Sequence, residues 1–351
     1  MFTLKLIIMT ALTSFLITPL IIKLSIMTGA LDKPNYRKVH KTPTSILGGI
    51  VILISFVIGL FIAHPVEPEI KPIIIGAICI NILGVVDDLY DLKPIVKLIG
   101  QLCIASIVVF HNITLDLITL PFGIVIEFGV LSIPMTIIWI VAVTNAINLV
   151  DGLDGLASGV SLIALTTIGF IAILQQNIFI MMICSVLIGS LIGFLRFNFY
   201  PAKIFLGDNG AMLLGYIIGV LSLLGFKNIT LISLFFPIII LAVPFIDMVF
   251  AMIRRYLKGQ PIMQADKSHL HHRLLDLGYT HPQTVILIYS IGILFSIASI
   301  ILYLSTTFGA ILIVLLMCIT IELIVEFTGL IDENYRPLLN YINKMIAKYT
   351  N

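Results

Sequence analysis

The sequence predicts an all-α protein that crosses a membrane many times. Hydrophobic residues make up 60% of the 351 residues and charged residues only 11%, whereas soluble proteins carry about 25% charged residues. The apolar residues form runs close to the roughly 20 residues that cross a bilayer. Polar residues gather between those runs. The formal net charge of +2 gives no reason to expect a polyanionic partner such as nucleic acid.

Eleven apolar runs are candidate transmembrane helices, and their limits are residues 3–27, 46–63, 70–86, 96–110, 132–147, 157–174, 178–195, 211–225, 229–252, 284–304 and 308–327. The first run is followed by no small-residue cleavage site, so we expect a retained span and not a signal peptide. The ninth contains Pro237 and Pro244 and is expected to be kinked. Residues 112–130 alternate weakly around Pro121 and predict a small external β-hairpin.

The distribution of Lys and Arg predicts the orientation. Of the 20 Lys and Arg residues, 16 fall on the side of the membrane that follows the first span, and cytoplasmic loops are the ones enriched in these residues. This side is therefore predicted to be cytoplasmic, with the N-terminus outside and the C-terminus inside. Residues 1–330 are expected to form one transmembrane domain, followed by a short cytoplasmic tail over 331–351. The loops expected to build an active site are 28–45, 87–95, 148–156, 196–210 and 253–283.

Two adjacent carboxylates lie at the end of the third run. Asp87 and Asp88 occur in GVVDDLYDLKP, and such a pair is stable only when it shares a cation or a proton. The pair suits magnesium binding, or deprotonation of an acceptor hydroxyl or phosphate. Helix capping in a solvated loop is the alternative interpretation.

A second polar group interrupts the apolar runs in NAINLVDGLDGLASG. Asn148, Asp151 and Asp154 are spaced by three residues, so they share a face on one helical turn or on a tight glycine-broken segment. Ionised side chains near a membrane are costly and usually face a functional cavity. Asp208 in IFLGDNG is by itself an ordinary helix N-cap, but it lies on the same side. These oxygen ligands suit magnesium, which binds one or two carboxylates and substrate phosphates.

Basic residues occupy two of the same loops. DKPNYRKVHKTPTSILGG suits an anionic headgroup or substrate, although topology alone also explains its charge. A cationic, hydrogen-bond-donating cluster is predicted in the last loop: Lys267, His269, His271, His272 and Arg273. Zinc is the usual interpretation of a His cluster, but no Cys lies in a predicted cytoplasmic loop. Carboxylates, a divalent ion and a cationic cluster are together what phosphoryl transfer requires.

Five motifs resemble those of the polyprenyl-phosphate N-acetylhexosamine-1-phosphate transferases. In order along residues 32–272 they are DKPNYRKVHKTPTSILGG, GVVDDLYDLK, NAINLVDGLDGLASG, PAKIFLGDNG and HLHH. HLHH and the DKPNYRKVH opening resemble the branch that uses UDP-GlcNAc, above all its Gram-positive members that start wall teichoic acid synthesis. The resemblance implies transfer of phospho-GlcNAc from UDP-GlcNAc to undecaprenyl phosphate, which yields undecaprenyl-diphospho-GlcNAc and UMP.

The resemblance also implies roles for individual residues. Asp87 and Asp88 match the family's aspartate pair, and Asp87 is the candidate base for the lipid phosphate. Asp208, with Asn148, would bind magnesium, for which manganese can substitute. The remaining implied residues line the nucleotide and metal site, cradle the uridine, or contact the diphosphate and sugar: Lys41, Asp151, Asp154, Asn198, Phe205, His269, His271, His272 and Arg273.

The chain departs from the pentapeptide-transferring branch of the family at two places. That branch has three consecutive His residues in place of HLHH, and it has a Lys where this chain has Asp91, so no cationic role is assigned to Lys93 or Lys97. Another donor, such as UDP-MurNAc-pentapeptide, stays open. The implied partners are the lipid bilayer and downstream cell-wall glycosyltransferases, and a homodimer is compatible with the resemblance.

Two other classes of membrane protein share part of this pattern. The CDP-alcohol phosphotransferases use a string that begins DxxDG, as Asp151 and Asp154 do here, but it continues with an Ala and an Arg where this chain has Ser158 and Gly159. A secondary transporter is compatible with eleven spans and a kinked ninth. Transporters, however, place ionisable groups near the bilayer midplane, and here those groups lie at the predicted cytoplasmic ends.

Overall fold

The computed structural model describes residues 2–32, 43–119, 124–226, 235–259, 268–332 and 335–350, most of them helical. The helices are α1 Phe2–Thr28, α2 Gly48–Ala63, α3 Ile70–Tyr90, α4 Pro94–Phe110, α5 Ser132–Val150, α6 Leu156–Leu174, α7 Ile178–Asn198, α8 Gly207–Phe226, α9 Phe235–Ile240, α10 Ala242–Leu257, α11 Leu270–Asp276, α12 His281–Leu304, α13 Thr307–Thr328 and α14 Pro337–Thr350. Four short strands are β1 Leu31–Asp32, β2 Thr44–Ser45, β3 Leu117–Thr119 and β4 Val125–Glu127.

Eight of the described helices are long and apolar enough to cross a membrane: α1, α3, α5, α6, α7, α8, α12 and α13. α2 and α4 are equally apolar but have only 16 and 17 residues. The prediction of a mostly helical, multi-pass membrane protein is confirmed. The number of spans and their orientation stay predictions.

The ninth predicted span is a broken helix. α9 ends at Ile240 and α10 begins at Ala242, so the predicted kink is confirmed as an interruption at Leu241. Pro237 and Pro244 flank this point, and each lacks the N–H that a continuous helix would use. The first residues of the predicted span, 229–234, lie outside the described residues.

The predicted hairpin is confirmed. β3 and β4 pair antiparallel, with Leu117 opposite Glu127 and Thr119 opposite Val125; the intervening residues 120–123 lie outside the described part of the chain. A second antiparallel pair, β1 and β2, follows α1. Ser45 of β2 also bridges to Ile204, which joins this pair to the segment before α8.

α8 is the central helix, in contact with α2, α3, α5, α6 and α7. Two glycines let its first turn approach its neighbours: a Cβ on Gly49 of α2 would overlap the Asn209 side chain and the Gly210 backbone, and a Cβ on Gly84 of α3 would overlap the Asn209 backbone. The polar first turn of α8 is therefore enclosed by protein, and the last turn of α3 lies directly against it.

One end of the bundle brings together the described parts of the polar segments that the sequence singled out. α3, α5 and α7 end there, and α4, α6 and α8 begin there. We call this end the site end. α13 also ends on this side, since Leu330, just beyond it, accepts a hydrogen bond from Arg254 near the end of α10.

Candidate active site

Lys97, in the first turn of α4, lies at the centre of the site. Its Nζ is 2.6 Å from Asp87 Oδ2 and 2.8 Å from Asp208 Oδ2, and it donates to Asn148 Oδ1 at 3.3 Å. Asn148 in turn donates through Nδ2 to Asp208 Oδ1 at 2.6 Å. Four helices thus contribute one polar side chain each to a single hydrogen-bonded cluster, which we call the Lys97 cluster.

Asp88 caps the first turn of α8. Its Oδ1 accepts from the Asp208 N–H at 2.9 Å and its Oδ2 from the Asn209 N–H at 3.0 Å. The Asn209 side chain donates to the same Oδ2 at 2.5 Å and to the Ile46 carbonyl at 2.7 Å. The first N–H groups of a helix have no intrahelical partner, and a carboxylate there also matches the helix dipole. Asp88 therefore fixes the position of Asp208, while the adjacent Asp87 faces Lys97.

The segment between α5 and α6 folds as a compact turn next to the Lys97 cluster. Gly155 has φ +78°, which favours glycine, and its carbonyl accepts from the Tyr289 hydroxyl at 2.5 Å. Asp151 lies just beyond Asn148. Burial, followed by the negative charges of Asp208, Asp88 and Asp154, raises the pKa of Asp151 well above its usual value. The carboxylates of this region are therefore close enough to repel one another.

Asp154 turns away from the Lys97 cluster and anchors a neighbouring loop. Its Oδ2 accepts from the Ala202 N–H at 2.9 Å, and its own N–H donates to His281 Nε2 at 3.2 Å. The His281 ring lies 4.6 Å, centroid to centroid, from that of Tyr200. These contacts tie the α5–α6 turn to the 199–206 segment and to the start of α12.

The His segment packs on the same turn through His271. Asp247 of α10 holds their segment in place, since its Oδ1 accepts from the Leu270 N–H at 2.9 Å and its Oδ2 lies 3.2 Å from His269 Nδ1. The His271 imidazole occupies the space where Gly152 lacks a side chain. The rings of His271 and His272 are 4.2 Å apart.

His271 is not the cationic group that the sequence suggested. Burial, and then the charge of His272, lowers the pKa of His271 to about 3, so its imidazole is neutral near pH 7. A neutral ring carries one N–H donor and one acceptor nitrogen. The prediction of a cationic cluster is therefore wrong at this residue, because sequence position alone did not reveal that the ring is buried.

Asn198 and Phe205 bracket the loop before α8. Asn198 is buried, accepts from the Ser158 hydroxyl at 2.7 Å and donates to the Ile204 carbonyl at 2.9 Å. The Phe205 backbone bonds to Ser45 and Gly48. Asn198 thus braces the loop from inside, and the implied contact of either residue with uridine stays a prediction.

The remaining predicted residues are basic. Lys41 and Lys267 fall outside the described residues. Arg273 lies on α11, where its N–H bonds to the His269 carbonyl at 3.0 Å, and its implied contact with substrate stays a prediction.

Three residues of the site were missed by the sequence reasoning. Lys97 was set aside because Asp91 replaces the lysine of a related branch, yet its side chain reaches both carboxylates. Asp247 and His281 lie more than 35 residues from the α8 motif, and only the fold brings them to the α5–α6 turn. The sequence did contain one indication for Lys97, because a lone cation in the first turn of an apolar helix needs a partner.

The donor set fits a magnesium ion. Asp87, Asp208 and Asn148 direct oxygen atoms at the half-buried ammonium group of Lys97. Among the described residues, no group of three or more His, Cys, Asp or Glu side chains is arranged so that it could hold a metal ion. Magnesium uses few protein ligands and keeps positions for phosphate and water, and its binding here stays a prediction.

A bundle of apolar helices with carboxylates, an amide and a half-buried lysine at one end is the arrangement expected of a membrane enzyme. Residues 71–226, which contain the whole Lys97 cluster, match the family model described as glycosyl transferase family 4. The chain is 42% identical over 344 residues to the probable undecaprenyl-phosphate N-acetylglucosaminyl 1-phosphate transferase of Bacillus subtilis (strain 168), covering 97% of this chain and 96% of that one. The chain belongs to glycosyl transferase family 4.

Two more distant relatives differ in lipid or sugar. The decaprenyl-phosphate N-acetylglucosaminephosphotransferase of Mycobacterium leprae (strain TN) is 32% identical over 86% of this chain and 84% of its own length. A phospho-N-acetylmuramoyl-pentapeptide-transferase of Listeria monocytogenes serotype 4b (strain CLIP80459) is 31% identical over 81% of this chain and 92% of its own length. The resemblance that the five motifs predicted is therefore confirmed at the level of the family.

Proposed function

We propose that this chain transfers GlcNAc-1-phosphate from UDP-GlcNAc to undecaprenyl phosphate, with undecaprenyl-diphospho-GlcNAc and UMP as products. The observation that carries the proposal is the Lys97 cluster, placed at the end of apolar helices. A lipid-linked phosphate can reach such a site while its polyprenyl chain stays in the bilayer. The near full-length similarity to the Bacillus subtilis protein supports this choice of lipid and sugar.

The transfer exchanges one phosphorus–oxygen bond for another. An oxygen of the lipid phosphate attacks the phosphorus that carries the sugar, and the bond from that phosphorus to UMP breaks. Asp87 is the proposed base that keeps the attacking phosphate deprotonated; it is held by Lys97 and by the Leu92 N–H, which donates to its Oδ1 at 3.0 Å. Lys97 counters the negative charge of the carboxylates and phosphates, which fixed charges in a water-poor site do effectively.

Asp208 and Asn148 are the proposed holders of magnesium, for which manganese can substitute. When bound, the ion would neutralise and orient the diphosphate of the sugar nucleotide. Asp88 keeps Asp208 in place through the first turn of α8, and Asp151 and Asp154 shape the neighbouring turn. The three His residues, with Arg273, Lys41, Asn198 and Phe205, are proposed to surround the sugar nucleotide.

The site end is proposed to face the cytoplasm, where UDP-sugars are found, with residues 1–330 acting as one domain. The excess of Lys and Arg on this side supports that orientation. We also propose that the lipid product is used by downstream cell-wall glycosyltransferases, as in wall teichoic acid synthesis. A homodimer would be compatible with this role.

The test is lipid-dependent release of UMP by purified protein in detergent. UDP-GlcNAc, undecaprenyl phosphate and magnesium are supplied, and Asp208→Asn is compared with Asp91→Asn, which changes an exposed aspartate. We expect release with wild type and Asp91→Asn, and loss with Asp208→Asn or without magnesium. Preferential use of UDP-MurNAc-pentapeptide would overturn the donor assignment. No release from any UDP-sugar would overturn the transferase and favour a transporter.

A further inference from the structure

The last helix, α14, has one apolar face that the protein leaves exposed. Apolar residues recur at spacings of three and four: Leu338, Tyr341, Ile342, Met345 and Ile346. This spacing gathers side chains on one face of a helix. Nevertheless Tyr341 is 62% exposed, Ile342 38% and Met345 41%. In a soluble protein such a face would be covered by the core.

Glu326 fixes where α14 begins. It lies in the last turn of α13, an apolar helix long enough to cross a membrane, and it is completely buried. Its Oε1 accepts from the Leu338 N–H at 2.7 Å and its Oε2 from the Leu339 N–H at 2.8 Å. These N–H groups belong to the first turn of α14, where no intrahelical carbonyl is available. α14 therefore starts within hydrogen-bonding distance of the end of a membrane span.

A second contact fixes the turn between the two helices. Gly329 has φ +63°, which reverses the chain after α13, and Arg254 of α10 donates to the Leu330 carbonyl. The start of α14 is thus held at the end of α13, at the site end of the bundle.

The charge of α14 matches an anionic surface. Residues 336–350 contain Arg336, Lys344 and Lys348 and no Asp or Glu. Lys344 is exposed and lies on the face opposite the apolar residues. Amphipathic helices with apolar and aromatic residues on one face and lysines on the other lie in the bilayer interface, and basic residues there attract anionic headgroups.

We propose that α14 lies in the membrane interface at the site end, with its apolar face among the acyl chains and its lysines against anionic headgroups. The ligand is a bilayer containing anionic phospholipid, and not a second protein. This inference does not depend on the transferase reaction. It assigns residues 337–350 a binding surface where the sequence indicated only a tail.

The experiment measures the depth of two positions by tryptophan fluorescence. Trp139 is the one tryptophan of the chain, so Trp139→Phe provides a silent background. Tyr341→Trp places a reporter on the apolar face, and Asn340→Trp places the matched control on the polar face of the same turn. Each full-length protein is reconstituted into vesicles of phosphatidylcholine and phosphatidylglycerol whose acyl chains are brominated. Both variants must elute as the wild type does in size-exclusion chromatography.

We expect the brominated lipids to quench the tryptophan at position 341 at least about three-fold more than that at position 340, with emission at shorter wavelength. Raising the phosphatidylglycerol fraction should increase the quenching at 341, and Lys344→Gln with Lys348→Gln should remove this increase. Equal quenching at both positions, or none at either, would overturn the membrane contact. Quenching at position 341 that does not change with the phosphatidylglycerol fraction would overturn the proposed contact between the lysines and anionic headgroups.

Discussion

At the scale of single residues, Lys97 decides how the surrounding acids can coexist. Its Nζ lies within 2.8 Å of both Asp87 and Asp208. Removing one member of a buried ion pair commonly costs about 3–5 kcal/mol, because the remaining charge stays uncompensated. The charges of Asp87 and Asp208 are therefore compensated by a residue that lies outside the acidic motifs.

The first prediction concerns this lysine. Lys97→Met keeps the length of the side chain and removes its charge, so we expect UMP release to fall at least about 100-fold, as when one stabilising group is removed from an active site. Lys93→Met alters an exposed lysine one turn away and should change the rate less than about two-fold. The rates are compared at saturating UDP-GlcNAc and undecaprenyl phosphate. Half of wild-type activity in Lys97→Met would contradict the central position of this residue.

The second prediction concerns pH and His271. Its pKa in the folded protein is lowered to about 3, whereas an unfolded His titrates near 6.5. Between these values only the unfolded chain takes up the proton, so the contribution of a neutral His271 is complete above pH 6.5 and is lost as the pH falls. The loss amounts to about 1.4 kcal/mol for each pH unit below 6.5.

Thermal unfolding at pH 7.5 and 5.5 tests whether stability falls as the pH is lowered. When the pH falls from 7.5 to 5.5, the free energy of unfolding of wild type should fall by about 1.4 kcal/mol more than that of His271→Asn. The asparagine cannot take up the proton. His64→Asn changes an exposed His outside the site and should keep the wild-type dependence on pH. An identical pH response of wild type and His271→Asn would contradict the burial of a neutral imidazole.

At the scale of elements, the site is made where one helix ends against the beginning of another. Gly49 and Gly84 admit the first turn of α8 between α2 and α3, and Asp88 then supplies the acceptor for two of its N–H groups. The two aspartates of one motif consequently have different tasks. Asp87 faces Lys97, and Asp88 positions the helix that carries Asp208.

The third prediction separates these tasks. Asp88→Asn removes the charge and one acceptor oxygen from the first turn of α8, so we expect the free energy of unfolding to fall by about 2 kcal/mol. Asp91→Asn, at an exposed left-handed position that Asn tolerates, should leave it unchanged. Thermal unfolding in detergent measures both. An inactive Asp88→Asn protein with wild-type stability would instead indicate that Asp88 acts on the substrate directly.

The limits of the helices show what the sequence could predict. Ten of the eleven apolar runs coincide with a described helix, but several helices continue into the polar residues at the site end: α3 to Tyr90, α5 to Val150 and α7 to Asn198. Hydropathy drops at the first carboxylate, although the backbone hydrogen bonds of the helix do not stop there. Asp87 and Asp88 therefore lie in the last turn of α3 and not in a loop.

Contacts between distant segments were not predictable in this way. The motifs located Asp87, Asn148 and Asp208 because each departs from an apolar surrounding. They could not indicate that Asp88 faces backbone N–H groups, or that His271 fills the space beside Gly152, since both depend on how helices pack. The periodicity of apolar residues indicates which face of a helix is buried, but it does not indicate which other helix packs against that face.

At the scale of the whole molecule, the bundle separates a polar end from an apolar body. The Lys97 cluster, the α5–α6 turn and the His segment lie at the site end, and α14 starts on the same side. The loop between α2 and α3 and the β3–β4 hairpin lie at the other end. If the molecule crosses the membrane as proposed, the two ends face different compartments.

The last prediction tests that orientation in intact cells. A variant without its four native cysteines receives one new cysteine, either Val66→Cys, at a position 90% exposed between α2 and α3, or Lys93→Cys, at an exposed position of the site end. A membrane-impermeant maleimide should label Val66→Cys directly and Lys93→Cys only after permeabilisation, because cytoplasmic loops carry the excess of Lys and Arg. Both variants must still release UMP, which shows that the site remains assembled. Labelling of Lys93→Cys in sealed cells would place the site outside, where UDP-sugars are absent, and would contradict the orientation.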